Sequence, residues 1–249
     1  MGVCAYADDV RKPDYQLADN SFFDPTRKKA EEAYHFGMEY RIELAYVQKD
    51  QRSNGTYPGM YMHGARLGGT FTFLLPIHFS LQTGLFYTFT YGHHAQHWPS
   101  VGDPEEEYIQ HRVMQHQLTI PVKMYYTVPL WQKLNLFFFT GPQLHIGLAA
   151  KDRLTTYLTD ETRAWLMGET EDERFKIPNP VPVEPYDRYT AEQCRANVQW
   201  CIGAGIEWDR FRFQGGYDFG LNNLIKNTPD TYRFMSEWEW HMGIAIRLN

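Results

Sequence analysis

Three histidines, His93, His94 and His97, fall within five residues of one another, and the run Glu105-Glu106-Glu107 follows them. Imidazole suits zinc, copper or nickel, so this cluster has the ligand types of a metal site. A solvated polar loop explains the same residues with fewer assumptions. The expectation is therefore no metal and no cofactor. A second set of charges recurs at every second position of otherwise apolar segments: Glu39, Arg41, Glu43, Arg66, Lys123, Arg195, Glu207, Arg212, Asp218, Glu237, Glu239, His241 and Arg247. Carboxylates and a histidine are the material of acid–base chemistry. No spacing here sets a nucleophile beside a base and an orienting group, so no catalytic residue is assigned. Acids and bases nearly balance, and charges removed from water must be paired. The set reads as a lumen charge network, a plug of ion pairs.

The elements that must carry these charges follow from alternation. Over residues 36–46, Phe36, Met38, Tyr40, Ile42, Leu44 and Tyr46 share one face, while Gly37, Glu39, Arg41, Glu43 and Ala45 share the other. Strands send successive side chains to opposite faces. A stretch of about 9–11 residues crosses a bilayer when tilted. The pattern recurs near residues 63–73, 78–91, 115–127, 134–148, 194–208, 211–221 and 237–248. Pro121 predicts a bulge or bend in the fourth strand, and Pro142 an irregularity in the fifth. Connections alternate between long (48–60, 92–114, 149–193, 222–231) and short (74–77, 128–133, 209–210). Short helices are expected at 27–33 and 155–167.

Eight strands with this spacing predict an all-β fold: an eight-stranded antiparallel up-and-down transmembrane β-barrel with short periplasmic turns and long extracellular loops. A soluble lipocalin-like barrel binding an apolar ligand would alternate too. Three features favour the membrane form. The polar face is rich in glycine (Gly64, Gly68, Gly84, Gly141, Gly147, Gly203, Gly205, Gly216, Gly243), which suits a crowded lumen. Its charges can pair internally, and Lys123 is the lysine it carries. Aromatics mark the ends of the apolar face as two girdles: Trp131, Trp208 and Phe211 near the short turns, Tyr46, Phe89, Tyr91 and Phe219 near the long loops.

The 249 residues accommodate one such barrel, and 16% of them are aromatic. No run of 18 apolar residues exists to form a membrane helix. A net charge of −6 argues against a nucleic-acid partner. Cys4, Cys194 and Cys201 give neither a disulfide framework nor a zinc motif, and they read as small thiols. Ala5-Tyr6-Ala7 before Asp8-Asp9 has the form of a signal-peptide end, although the basic and apolar regions of such a peptide are missing; a short polar tail is the alternative. The expected division is residues 1–7 as a signal-peptide remnant, 8–34 as an N-terminal periplasmic arm and 35–249 as the barrel.

Arg66-Leu67-Gly68-Gly69, Leu118-Thr119-Ile120-Pro121-Val122-Lys123, Phe139-Thr140-Gly141-Pro142, Gly203-Ala204-Gly205-Ile206-Glu207 and Gly243-Ile244-Ala245-Ile246-Arg247-Leu248 carry a resemblance. The chain resembles the PorT-like outer-membrane β-barrel proteins of Bacteroidota, and more distantly the OmpA/OmpX-type eight-stranded barrels. The resemblance implies a place in the cell outer membrane and no one shared biochemical role. One departure is the end of the chain: many such barrels close on an aromatic residue, and this one reads Leu248-Asn249. The expected function is a non-enzymatic structural or interaction barrel with a plugged, non-conducting lumen and acidic outer loops. Its partners would be outer-membrane lipid and, through the loops, a protein or glycan. The alternatives are an outer-leaflet lipid-modifying enzyme and the soluble binder.

Overall fold

A computed structural model of the chain describes residues 37–53, 60–97, 108–131, 133–157, 181–182, 184–191, 193–226 and 234–248. The expected N-terminal segments, the helix at 27–33, nearly all of that at 155–167 and the Glu105–Glu107 run lie outside the described residues; 155–157 are strand.

Eight long strands form a closed ring: β1 (Gly37–Ser53), β2 (Met60–Leu74), β3 (Phe79–His97), β4 (Tyr108–Trp131), β5 (Leu134–Tyr157), β8 (Ala196–Trp208), β9 (Phe211–Gly220) and β10 (Met235–Arg247). Between β5 and β8 come two-residue strands β6 (Val181–Pro182) and β7 (Tyr186–Asp187) and one helical turn, α1 (Arg188–Ala191). Each long strand pairs antiparallel with its neighbours, β4 pairs β5, and β1 pairs β10 to close the circle. Closure leaves no free sheet edge among these strands.

The faces divide as alternation predicts. Leu44, Leu67, Leu85, Met124, Ile202 and Met242 are exposed on the outer wall, each about half accessible. Arg41, Arg66, Lys123, Gln143, Asp218 and Glu239 are buried inside. An apolar face turned outward cannot line a ligand cavity, so the lipocalin-like alternative is set aside.

Four strands run past their expected ends. β1 continues beyond Tyr46 to Ser53, β3 beyond Tyr91 to His97, β4 begins at Tyr108, and β5 continues to Tyr157. The physical reason is an inversion of the alternation. Above Tyr46, Tyr91, Met114 and Leu148 the inward residues include Met60, Met62, Val113 and Ala150, all buried, while Arg52, His63, Arg112, Lys151 and Arg153 are exposed. That is the pattern of a barrel wall in water rather than in lipid.

The two prolines do not shift the register. Pro121 pairs Gln143 and Met124 pairs Thr140 in one unbroken count, but the two intervening positions form no ladder pairs. Proline has no N–H to give the ladder. The β4–β5 register instead shifts at His116/Gln117, where Leu148 is the extra residue, and at Pro129/Trp131. The first bulge resets the alternation of β5, so Ala150 and Asp152 point inward. The short turns are tight: Ile77 and His78 take φ 64° and 61°, and Asp209 takes 56°.

Candidate functional site: the lumen and its rims

Charged side chains project into the barrel because they alternate with lipid-facing apolar ones. They meet in layers. Nearest the short turns, Arg41 donates to Glu207 at 3.0 Å, Arg212 donates to Glu207 at 2.7 Å, and Arg247 donates to Glu39 at 3.0 Å. Above them Tyr125, Phe137 and Phe139 pack together with Cys201. Arg212 lies 5.0 Å over Tyr125 and 4.7 Å over Phe137, and Lys123 lies 4.8 Å over Phe139. Cations over aromatic faces are attracted by the ring quadrupole. The glycines on β8 make room for these rings. A Cβ on Gly203 would meet Phe139 at 2.2 Å, and one on Gly205 would meet Phe137 at 2.4 Å.

The next layer joins Arg66 to Glu239 directly and to Asp218 at 3.7 Å, with His241 Nδ1 3.3 Å from Asp218. Glu43 is buried on the same inner face, outside these pairs. Lys49 then bridges Glu237 at 2.8 Å and Glu239 at 3.6 Å, and Gln51 and Asn197 also donate to Glu237. At the long-loop mouth, α1 turns inward. Arg188 donates to Asp152 at 2.6 and 2.8 Å, and the Tyr189 hydroxyl accepts from Gln115 and Gln117 at 2.6 and 2.9 Å. The Tyr189 ring lies against Gly147, where a Cβ would meet it at 2.2 Å. Burial alone would raise the Asp152 pKa; His111, with Nδ1 at 3.6 Å, and the charge and hydrogen bonds of Arg188 bring it below the usual carboxylate value. Burial pushes the Tyr189 hydroxyl up.

The expected network residues thus divide. Arg41, Arg66, Glu207, Arg212, Asp218, Glu237, Glu239 and His241 converge inside; Glu39 and Arg247 pair at the partly open short-turn end. Arg195 is a correction. It lies just before β8, is exposed, and donates to the carbonyls of Gly147 and Leu148 at 3.1 and 2.9 Å. Lys123 is not the sole inward lysine: Lys49 joins it. Lys49, Asp152 and Arg188 were missed because their segments read as loop.

Of the loop histidines, His93 and His94 do not converge, and the side chain of His97 lies outside the described residues. His93 is exposed on the outer face and accepts a 2.7 Å hydrogen bond from Gln110, while His94 faces the other way. Burial, with His111 and His93 nearby, lowers the His94 pKa. Among the described residues, the group with ligand atoms close enough for a metal is Cys201, Asp218 and His241, within 4.8 Å of one another. Register could have found it, since Cys201 and Asp218 are direct cross-strand partners. A cation there would face Arg66, 3.7 Å from Asp218, and the three residues belong to the ion-pair layer.

Aromatics collect at both rims of the apolar wall. Trp131 is 77% exposed, and with Trp208, Phe213, Lys133, Leu134 and Ile206 it lines a groove at the short-turn end. Phe211 sits opposite Trp208. On the other rim the Tyr46 hydroxyl bonds His63, Phe89 packs on His116 at 5.1 Å, and Phe219 packs on Tyr217 and Trp238 at 4.9 and 5.6 Å. Tyr91 lies opposite His63. The second rim stands below the strand ends, since the strands continue into the mouth.

A closed ring with an apolar outer wall, rimmed by aromatics and carrying ion pairs on its inner face, is the form of a protein that crosses a membrane by strands. The sequence family described as outer membrane protein beta-barrel domain matches residues 33–226, and the chain belongs to it. It is an outer-membrane barrel, with short periplasmic turns and long extracellular loops. No curated protein sequence matches the chain. Among solved structures it is similar to Neisserial surface protein A (10% identity, 85% of this chain and 99% of that one, TM-score 0.43). It is also similar to Ail of Yersinia pestis (12%, 85% and 99%, TM-score 0.38) and OprG of Pseudomonas aeruginosa (10%, 86% and 98%, TM-score 0.38).

Proposed function

We propose that this protein is a non-enzymatic structural or interaction barrel with a plugged, non-conducting lumen, presenting its extracellular side to a protein or glycan. The observation that carries this reading is the unbroken stack of buried side chains from Arg41 and Glu207 at the periplasmic end, through Arg66–Glu239 and Lys49–Glu237, to Arg188 and Tyr189 at the outer mouth. Eight-stranded lumens are only wide enough for side chains. The acidic outer-loop residues Glu105–Glu107, Glu169, Glu171, Asp172 and Glu173 would offer the contact surface. The narrower PorT-like, Bacteroidota identity belongs to this proposal too, on the strength of the five short motifs.

The test is a planar-bilayer recording of the full chain beside Arg41→Ala. Both should be silent, and the variant should lose less stability than the loss of about 3–5 kcal/mol for a buried pair broken outright, because Glu207 keeps Arg212. A steady ion current through the unaltered chain would sink the closed-lumen reading.

A further inference from the structure

We propose that the outer wall of β3, β4 and β5 binds the phosphorylated headgroup of lipid A, the glycolipid of the outer leaflet. Cross-strand register sets Arg112 directly opposite Arg153, with His93 on Arg112's other side; two residues along, Met114 stands opposite Lys151. Arg112, Lys151 and Arg153 are all exposed on the outer face. Like charges placed directly opposite one another on a sheet repel. Among the described residues, no ion pair relieves these three. Asp187 faces Lys151 across the β5–β7 ladder, but its Oδ1 accepts from the backbone of Ala150 and Tyr189 at 3.2 and 3.0 Å.

The height of the cluster names its ligand. On these strands the apolar wall ends at Tyr91, Met114 and Leu148, which are exposed, and the cations are the next outward residues. Tyr87, Phe89, Tyr91 and Met114 lie directly below, where acyl chains run. A cation cluster with no acidic partner among the described residues, at the boundary between apolar wall and water, is built for an anionic lipid headgroup, and guanidinium groups favour phosphate. The feature is one-sided. On β1, whose outward residues beyond Tyr46 are Gln48, Asp50 and Arg52, the cation Arg52 is already paired with Asp50 at 2.7 Å and stacks on Trp238 at 4.5 Å.

The inference rests on the outer-membrane placement and is independent of whether the lumen conducts. The experiment is native mass spectrometry of the full chain folded in non-ionic detergent. Phosphorylated lipid A, dephosphorylated lipid A, phosphatidylglycerol and a sulfated oligosaccharide are added in turn. The variant Arg112→Glu/Lys151→Glu/Arg153→Glu is compared with the unaltered chain and with Arg52→Glu. A heat-shifted band on an unboiled gel reports folding; if the triple variant lacks it, Arg112→Gln/Arg153→Gln takes its place. The unaltered chain and Arg52→Glu should retain phosphorylated lipid A over the other three additives. The triple variant should hold it roughly a hundredfold more weakly, as follows from three headgroup-level cations; the double glutamine variant should lose roughly tenfold or more. Equal retention by the cluster variant would overturn the proposal. So would equal retention of dephosphorylated lipid A or phosphatidylglycerol. Capture of the sulfated oligosaccharide through these cations, without lipid A, would assign the wall to a glycan partner instead.

Discussion

Lys49 has no accessible surface and makes its ion pairs with Glu237 and Glu239 in the upper lumen. Removing one partner of a buried pair leaves the other charge without water and without compensation, which costs more than the pair contributes. Lys49→Met and Glu237→Gln should each lower unfolding stability by about 3–5 kcal/mol. The double variant should lose clearly less than the sum. Guanidinium unfolding of the four proteins gives the coupling directly, and strict additivity would mean that the two side chains do not compensate one another. At this scale the sequence showed which residues turn inward wherever apolar partners alternate with them, as at Arg41, Arg66 and Glu239. It did not show Lys49, because its outward neighbours Gln48 and Asp50 are polar and the contrast between faces vanishes. The meeting of Cys201, Asp218 and His241 depends on register across three strands, which no single segment encodes.

The segment β7–α1 is held in the mouth by Arg188 and Tyr189, and its anchor is Asp152. The folded Asp152 pKa lies below its ordinary value. A depressed carboxylate contributes stability that is present above the unfolded pKa and is lost as pH falls through the folded one. Docking should therefore hold at neutral pH and weaken in the acid range below the usual aspartate value. Cleavage after Arg188 by a protease active in acid should rise there, and the protection of amides 188–191 relative to their intrinsic exchange rate at each pH should fall. Asp152→Asn should show the same release at pH 7, and identical protection at both pH values would refute the anchor. The turn at the opposite end makes a separate prediction. Ile77 is a β-branched residue at φ 64°, a left-handed conformation that costs non-glycine residues about 1–2 kcal/mol. Asn tolerates it better, so Ile77→Asn should raise the unfolding free energy by about 1 kcal/mol at most, read as a higher unfolding midpoint. The alternation of long and short connections was legible in sequence, and so was the ring it implies. The strand ends were not, because the bulge at Leu148 changes the phase of β5 and the polarity inverts above the membrane. Segment 184–191 reads as charged loop because its anchoring partners, Asp152, Gln115 and Gln117, are remote in sequence.

For the whole molecule, the inversion of alternation is a ruler. Below it the wall is apolar outward over Met38, Tyr40, Ile42, Leu44 and Tyr46 on β1, nine residues and enough for a tilted strand to cross the hydrocarbon. Above it the same sheet continues with polar residues outward and Met60, Met62 and Val113 packed inside. One continuous wall therefore serves two solvents, and the aromatic rim of Tyr46, His63, Phe89 and His116 marks the change. The cost of a charge should report the boundary. Ile42 is half exposed in the middle of the apolar run, and Tyr61, more exposed, lies beyond the rim. Ile42→Arg should cost about 2–4 kcal/mol, as a lipid-facing arginine does near the midplane, while Tyr61→Arg should cost about 1 kcal/mol or less. Reversible unfolding from lipid bilayers measures both. Similar costs at the two positions would place Tyr61 in hydrocarbon and make the upper strands part of the membrane span; the predicted gap puts the boundary at the rim, just below the row that begins with Arg112 and Arg153.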